Sequence, residues 1–386
     1  MGQYIGIGRK ARRCYGFDEI ALAPGKVTIN PAEVDTTWKI DGKNFKVPIL
    51  AAAMDGVVDV KFAVAMGKLG GIAVLNLEGV QTRYDDPDEV LNQLVKANPD
   101  KATEIIQSIY TKPIQENLIE KRVRQIKEGG APAVVSVIPQ RAEKFGKIAQ
   151  DAGADIFVVQ STVSTVKHIS KEYKALDIKK LCKSMKIPVI VGNCVSYEVA
   201  LELMGAGASA ILVGIGPGAA CTTRGVLGIG VPQVTATIDC AAARDAYYKK
   251  TKRYVPIITD GGMRIGGDIC KAFACGSDAV MVGSAFARAV EAPGRGYHWG
   301  MATPHANLPR GTRIHVGTTG TLEEILFGPA RFDDGSQNLM GALETSMGSV
   351  GAKNIKEFQR TEIIVAPSIQ TEGKIFQRVQ RVGMGK

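Results

Sequence analysis

The stretch IPVIVGNCVSYEVALELMGAGASAILVGIG (187–216) holds a complete strand–helix–strand repeat. IPVIVGN (187–193) is a nearly continuous apolar run, the pattern of a parallel strand buried on both faces rather than of a strand with one wet face. SYEVALELMGAGAS (196–209) follows with Ser196 as an N-cap and a glycine near its end, the start and stop signals of a helix. AILVGIG (210–216) then returns to the buried-strand pattern.

The same rhythm runs outward in both directions. Upstream lie VPILAAAM (47–54), GGIAVLNL (70–77), APAVVSVI (131–138) and ADIFVVQ (154–160). Downstream lie VPIITDGG (255–262) and AVMVGSAF (279–286), separated by the helical GGDICKAFACGSD (266–278) with Gly276 as its stop. Eight strand–helix units over about 240 residues predict a TIM (β/α)8 barrel. A doubly wound open sheet is the alternative, and eight strands in so regular a rhythm favour closure.

Two segments break the rhythm inside what reads as one catalytic domain over 1–386. Residues 79–130, between the second and third strands, are charged and include ENLIEKRVRQIKEGG; they are too long for a simple loop and read as a helical insertion with a surface or assembly role. Residues 295–335 follow the eighth strand and are rich in Gly, Thr, Pro and His, which suits an active-site flap.

Composition narrows the function classes. Hydrophobic residues make up 45% of the 386, enough for a large core. MGQYIGIGRKARR lacks the apolar segment of a secretory leader, and no run reaches about 18 apolar residues, so the expectation is a cytoplasmic protein without a membrane span. The seven cysteines (14, 182, 194, 221, 240, 270, 275) form no CxxC pair, which argues against a zinc ribbon and a disulfide framework. The four histidines (168, 298, 305, 315) are not spaced as a metal site. The net charge of +10 fits anionic small substrates; with 6% aromatics and no aromatic–basic stripe, a nucleic-acid partner is not expected.

Barrel chemistry sits at the C-terminal ends of the strands. Those ends carry Met54-Asp55, Gln160-Ser161-Thr162, Asn193, the loop GIGPGAACTT (214–223), Asp260-Gly261-Gly262 and Gly283-Ser284. Glycines at 214, 216 and 218 let the backbone turn sharply and approach a ligand. An isolated Cys221 would most often be an inert small hydrophobe. At the end of this loop, with Thr223 two residues on, it becomes a candidate nucleophile. Backbone N–H groups and a hydroxyl at 262, 283 and 284 suit a phosphate, and Asp260 suits ribose hydroxyls.

At these residues the sequence resembles the IMP dehydrogenase and GMP reductase family. AAAMDGVVD (51–59), GGIAV (70–74), VGNCVS (191–196), VGIGPGAACTT (213–223), ITDGGMR (258–264), MVGSAFARAVEAPG (281–294) and QTEGK (370–374) carry the likeness. The resemblance implies that Cys221 attacks purine C2 of a bound nucleotide with Thr223 assisting. It implies that Asp260 holds the ribose, that Gly262, Gly283 and Ser284 hold the 5′-phosphate, and that Gly300, Met301 and Ala302 meet the base. Met54, Asn193, Gly218 and Gly261 complete the expected substrate set, and Gln160, Ser161, Thr162 and Gly214 the side facing an NAD cofactor. It also implies a tetramer or octamer, and a monovalent cation on the backbones of Gly216, Gly218 and Cys221, completed by a neighbour's Glu-Gly-Gly. Here that tripeptide is Glu372-Gly373-Lys374, whose lysine argues against potassium. Residues 79–130 are too few for the paired regulatory cystathionine-synthase-type domains of many family dehydrogenases.

Departures bear on which reaction runs. Ala219 and Ala52 stand where serines are usual, Leu212 where a basic residue is common, and Gln160 where an aspartate usually meets the nicotinamide ribose. The flap sequence NLPRGTRIHVGTTG has no Arg-Tyr pair to activate water, leaving Arg310, with Arg313 beyond it. Val316 before Gly317 replaces the glutamate on which a reductase relies. Loss of that acid favours an NAD-dependent IMP dehydrogenase with Arg310 in the water step. GMP reductase is the alternative, and a catalytically silent purine-nucleotide binder a further one, disfavoured because binding alone requires neither Cys221 nor Thr223.

Overall fold

A computed structural model describes residues 2–300 and 313–367. The eight apolar runs become eight parallel strands, shorter than the runs: β1 (Ile49–Ala51), β2 (Ile72–Asn76), β3 (Val134–Val137), β4 (Ile156–Gln160), β5 (Val189–Cys194), β6 (Ala210–Val213), β7 (Ile257–Asp260) and β8 (Ala279–Val282). They pair in chain order, and β8 hydrogen-bonds back to β1, closing a TIM barrel. The doubly wound alternative is therefore excluded. Every strand residue is buried except the last of β4 and of β7, Gln160 and Asp260. This explains the continuous apolar pattern: one strand face fills the barrel and the other meets helices. The two exceptions mark the end of the barrel that opens to solvent.

The helical signals act as read. Asp59 caps α1 (Val60–Lys68), accepting from Phe62 N at 2.7 Å. Ser196 caps α7 (Tyr197–Gly205), and α10 (Gly266–Ala274) gives way to Gly276 at φ +111°. Left-handed backbone there favours glycine because a Cβ would clash with the following carbonyl.

Residues 79–130 contain a short 3-10 turn (Val80–Thr82), α2 (Pro87–Lys96), α3 (Pro99–Ile109) and α4 (Glu116–Glu128). The last packs against α1 and α5 (Ala142–Asp151), so it belongs to the barrel's own ring; the added part is the α2–α3 pair. Val90, Leu91, Leu94, Ile106 and Ile109 of that pair form a second small core with Val80 and Trp299.

The segment read as a flap is narrower than its composition suggested. β9 (Tyr297–Trp299) and β10 (Arg313–His315) pair antiparallel as its base. Arg310, Met301 and Ala302 lie outside the described residues. Leu322–Phe327 is a helix with Leu322, Ile325 and Leu326 buried, part of the packed body rather than of a flap. Among the described residues no helix is long and apolar enough to cross a membrane.

Candidate active site

The strand ends enclose a cleft of about 670 Å³. Met54, Gln160, Ser161, Thr162, Asn193, Gly214, Gly216, Gly218, Cys221, Thr223, Asp260, Gly261, Gly262, Gly283, Ser284 and Gly300 all line it. The described residues named from sequence thus meet in one place. A cleft of this size suits a ligand of nucleotide dimensions.

The loop after β6 is shaped by its glycines. Gly214 has φ +142°, and a Cβ there would lie 2.4 Å from the carbonyl of Asp260. Gly261 and Gly262, also left-handed, face the same loop: a Cβ on Gly261 would stand 3.3 Å from Gly218 N. The loops after β6 and β7 therefore lie backbone to backbone. Gln233, buried at the start of α9 (Gln233–Thr251), braces them by donating to Val213 O at 2.7 Å and Asp260 O at 3.1 Å. It is a supporting residue the sequence did not single out.

Cys221 ends that loop exposed, while Thr223 is buried. The Cys221 thiol donates to Thr223 Oγ1 at 3.2 Å. The hydroxyl, fixed at the first turn of α8 (Thr223–Leu227), is positioned to exchange a proton with the thiol or with a group bound to it. Gly300 crosses above, where a Cβ would approach Ala220 O at 3.0 Å.

Asp260 is held by two amides. Asn193 Nδ2 and Gln160 Nε2 donate to its Oδ2 at 2.8 and 2.9 Å. Burial pushes this carboxyl up to about 6, against the opposing pull of those two hydrogen bonds. Gln160 is thus bound to the carboxylate read as a ribose acceptor, so its amide serves the nucleotide side of the cleft rather than standing free toward a cofactor. Two departures lose their bearing on the site. Leu212 is a fully buried wall residue of β6, so a basic side chain is not missing from the cleft. Val316 lies at the base of the flap, its N–H bonded to Gly296 O at 2.8 Å and its side chain packed on the main core, and it does not line the cleft.

The other end of the cleft holds residues that the sequence reading passed over. His298 Nε2 lies 3.1 Å from Ser284 Oγ, and Glu78, beside Arg141 at 3.3 Å, has its carboxyl raised by burial. The signal for His298 was its place two residues before Gly300; histidines had been weighed only as metal ligands. Among the described residues no cluster of acidic, histidine and cysteine side chains could hold a metal ion. Of the three backbone positions expected to bind a monovalent cation, Gly218 O already accepts from Cys221 N at 3.0 Å. The described residues alone do not make a cation cage, and Glu372, Gly373 and Lys374 lie outside them.

Comparison with known proteins identifies the family. Residues 14–374 match the domain described as IMP dehydrogenase / GMP reductase. An uncharacterized oxidoreductase of Mycolicibacterium smegmatis is 37% identical over 94% of this chain and 99% of its own length. The inosine-5′-monophosphate dehydrogenase of Cryptosporidium parvum is 30% identical, covering 92% of each chain. The crystal structure of an IMP dehydrogenase/GMP reductase-like protein from Corynebacterium glutamicum superposes with a TM-score of 0.89 at 36% identity, covering 94% of this chain and 97% of that one. The chain belongs to the IMP dehydrogenase / GMP reductase family, in the form that carries the barrel without the paired regulatory domains.

Proposed function

We propose that the protein is a nicotinamide-dependent oxidoreductase of purine nucleotides in which Cys221 adds to C2 of the base, oxidising IMP to XMP. One observation carries this: an exposed thiol bonded to a buried threonine hydroxyl shares one cleft with a carboxylate held for ribose and a Gly/Ser end suited to phosphate. Asp260 accepts from the ribose hydroxyls, Ser284 and the backbone at Gly262 and Gly283 hold the phosphate, and the base lies against Met54 and Gly300. Held so, C2 faces Cys221, and orientation replaces a bimolecular encounter. The thiolate adds to C2, and loss of hydride leaves a thioimidate on Cys221 that water hydrolyses. Thr223 relays a proton in that second step, and Arg310 of the flap activates the water. The dinucleotide, when bound, supplies the hydride acceptor. The residues present fit it: Ser161, Thr162 and Gly214 line the same cleft, with room beside a nucleotide. Subunit assembly as a tetramer or octamer and a cytoplasmic setting go with this reading.

A second reading, NADPH-dependent reduction of GMP to IMP and ammonia, is favoured by the position of Val316. The preference for the dehydrogenase rested on a missing glutamate there, and that position lies at the flap base, away from the cleft. What remains is the absence of an Arg-Tyr pair from the flap sequence, which counts against easy hydrolysis. Following nicotinamide absorbance with IMP plus NAD, and separately with GMP plus NADPH, decides the direction. Turnover in neither would leave the silent binder. Under the dehydrogenase reading, Arg310→Ala gives a burst of about one NADH per site and then slow turnover, with purine trapped on Cys221 by mass spectrometry. An unchanged steady rate removes Arg310 from the water step.

A further inference from the structure

His298 sits on β9 with 1% of its surface exposed, yet its ring lines the cleft. Nε2 is 3.1 Å from Ser284 Oγ, while Nδ1 is buried and has no hydrogen-bond partner. A buried ring nitrogen left unpaired is costly, and such an atom beside a binding cleft is commonly completed by the ligand. What that ligand is follows from the charges around the ring.

No anion of the protein reaches His298. Its partner across the strand pair is Ile314, and the helix α11 (Ser284–Ala287) presents Ser284. The loop after β1 passes Gly56 close to its backbone, and the neighbouring Asp55 is turned onto Tyr110 Oη and Val80 N. On β10, Arg313 is engaged with carbonyls of Leu94, Val95 and Ala97, and His315 packs on Tyr297 at 4.3 Å between ring centroids. Gly300 leads the strand on toward Ala220, next to Cys221. Burial alone acts on the imidazole, holding it down to about 4, so the ring is neutral at physiological pH in the free protein. Any counter-charge must arrive with the ligand.

We propose that His298 is a ligand of the nucleotide's 5′-phosphate: with Ser284 and the Gly262 and Gly283 backbone it clasps the dianion and takes up one proton from solvent as it does so. This rests on the nucleotide reading above and adds a residue and a proton to it. The neutral ring offers one donor; the imidazolium offers two, one to the phosphate and one to a neighbouring oxygen. A dianion in a buried site repays the cost of charging the ring, because the interaction is screened far less than in water. The enzyme then selects a phosphate monoester dianion over a nucleoside by more than hydrogen bonds, and its affinity becomes linked to pH.

The test is calorimetric titration of the whole protein with IMP and with inosine at about pH 7.5, where a phosphate monoester is mostly dianionic, in buffers of different ionisation enthalpy. Wild type should take up close to one proton per IMP and none with inosine. His298→Gln should bind IMP at least about tenfold more weakly, leave inosine unchanged and lose the uptake, as for a lost charge-assisted contact. Should His298→Gln not fold, carbon–proton NMR of the wild-type histidines serves instead: His298 is one of four, and its signals should move to the protonated position with IMP alone. If Ser284→Ala weakens IMP while His298→Gln does not, or no proton is taken up, the histidine proposal falls and the nucleotide site stands. Equal weakening of IMP and inosine by His298→Gln shows a packing role and also overturns it. Equal affinity of the wild type for IMP and inosine removes the phosphate site itself, and both readings fail together.

Discussion

A thiol attacks only as its thiolate, so the proton on Cys221 needs somewhere to go, and Thr223 Oγ1 at 3.2 Å is the nearest acceptor among its described partners. Cys221→Ala should therefore lose turnover by orders of magnitude while nucleotide affinity stays within a few-fold. Turnover within about tenfold of wild type would remove Cys221 from the chemistry. Asp260 sets a second residue-level expectation. Its carboxyl, pushed up to about 6 by burial, is ionised above that pH and protonated below it. Only the ionised form accepts fully from two ribose hydroxyls, so nucleotide affinity should weaken as pH falls through 6 and hold above 7. Asp260→Asn should lose about 1.5–3 kcal/mol of binding at neutral pH and flatten that profile. A profile unchanged by Asp260→Asn would assign the titration elsewhere. Cys221 and Asp260 were legible because glycine runs at apolar strand ends are a local signal. His298 and Gln233 were not: each acts through a partner far along the chain, Ser284 and Val213, and no spacing announces it.

At the scale of elements, the flap base is tied to the α2–α3 pair. Trp299 Nε1 donates to Tyr110 Oη at 2.8 Å, and Tyr110 donates to the buried Asp55 at 2.5 Å. Burial raises the Asp55 carboxyl to about 6, countered by Tyr110 and the backbone of Val80. Arg313 fastens β10 to the end of α2 through three carbonyls, Leu94, Val95 and Ala97. This gives the insertion a physical task, to seat the flap. Arg313→Ala should lower kcat several-fold with nucleotide Kd nearly unchanged, since Ser284 and Asp260 keep their contacts. Parallel loss of both would mean that the site itself had shifted. The helices of 79–130 were legible from length and charge. Their division between barrel ring and insertion was not, because α4 looks the same in sequence whether it packs on α1 or on a partner.

For the molecule as a whole, closure between β8 and β1 is the step no local pattern can show; the count of eight buried strands implies it only because an open sheet would leave two apolar edges. The start of β8 is anchored by Asp278, 4% exposed, which accepts from Arg244 at 2.9 Å, Tyr254 at 2.7 Å, Ile257 N at 2.8 Å and Lys356 Nζ at 2.5 Å. These partners come from α9, the segment before β7, β7 itself and the C-terminal helix Ile355–Phe358, so one carboxylate ties the strand pair to two layers outside it. Burial nevertheless pushes Asp278 up, while Asp278 draws Arg244 up against its own burial; the pair is close to break-even, as buried ion pairs are. Removing one member is then worse than removing both, because the survivor keeps its desolvation cost without its counter-charge. Asp278→Ala should lose about 3–5 kcal/mol of unfolding free energy. Asp278→Ala combined with Arg244→Met should recover part of it, read from urea unfolding with activity followed in parallel. Additive losses in the double variant would show that Arg244 and Asp278 act independently, and that closure of the barrel is held by the strand ladder and core alone.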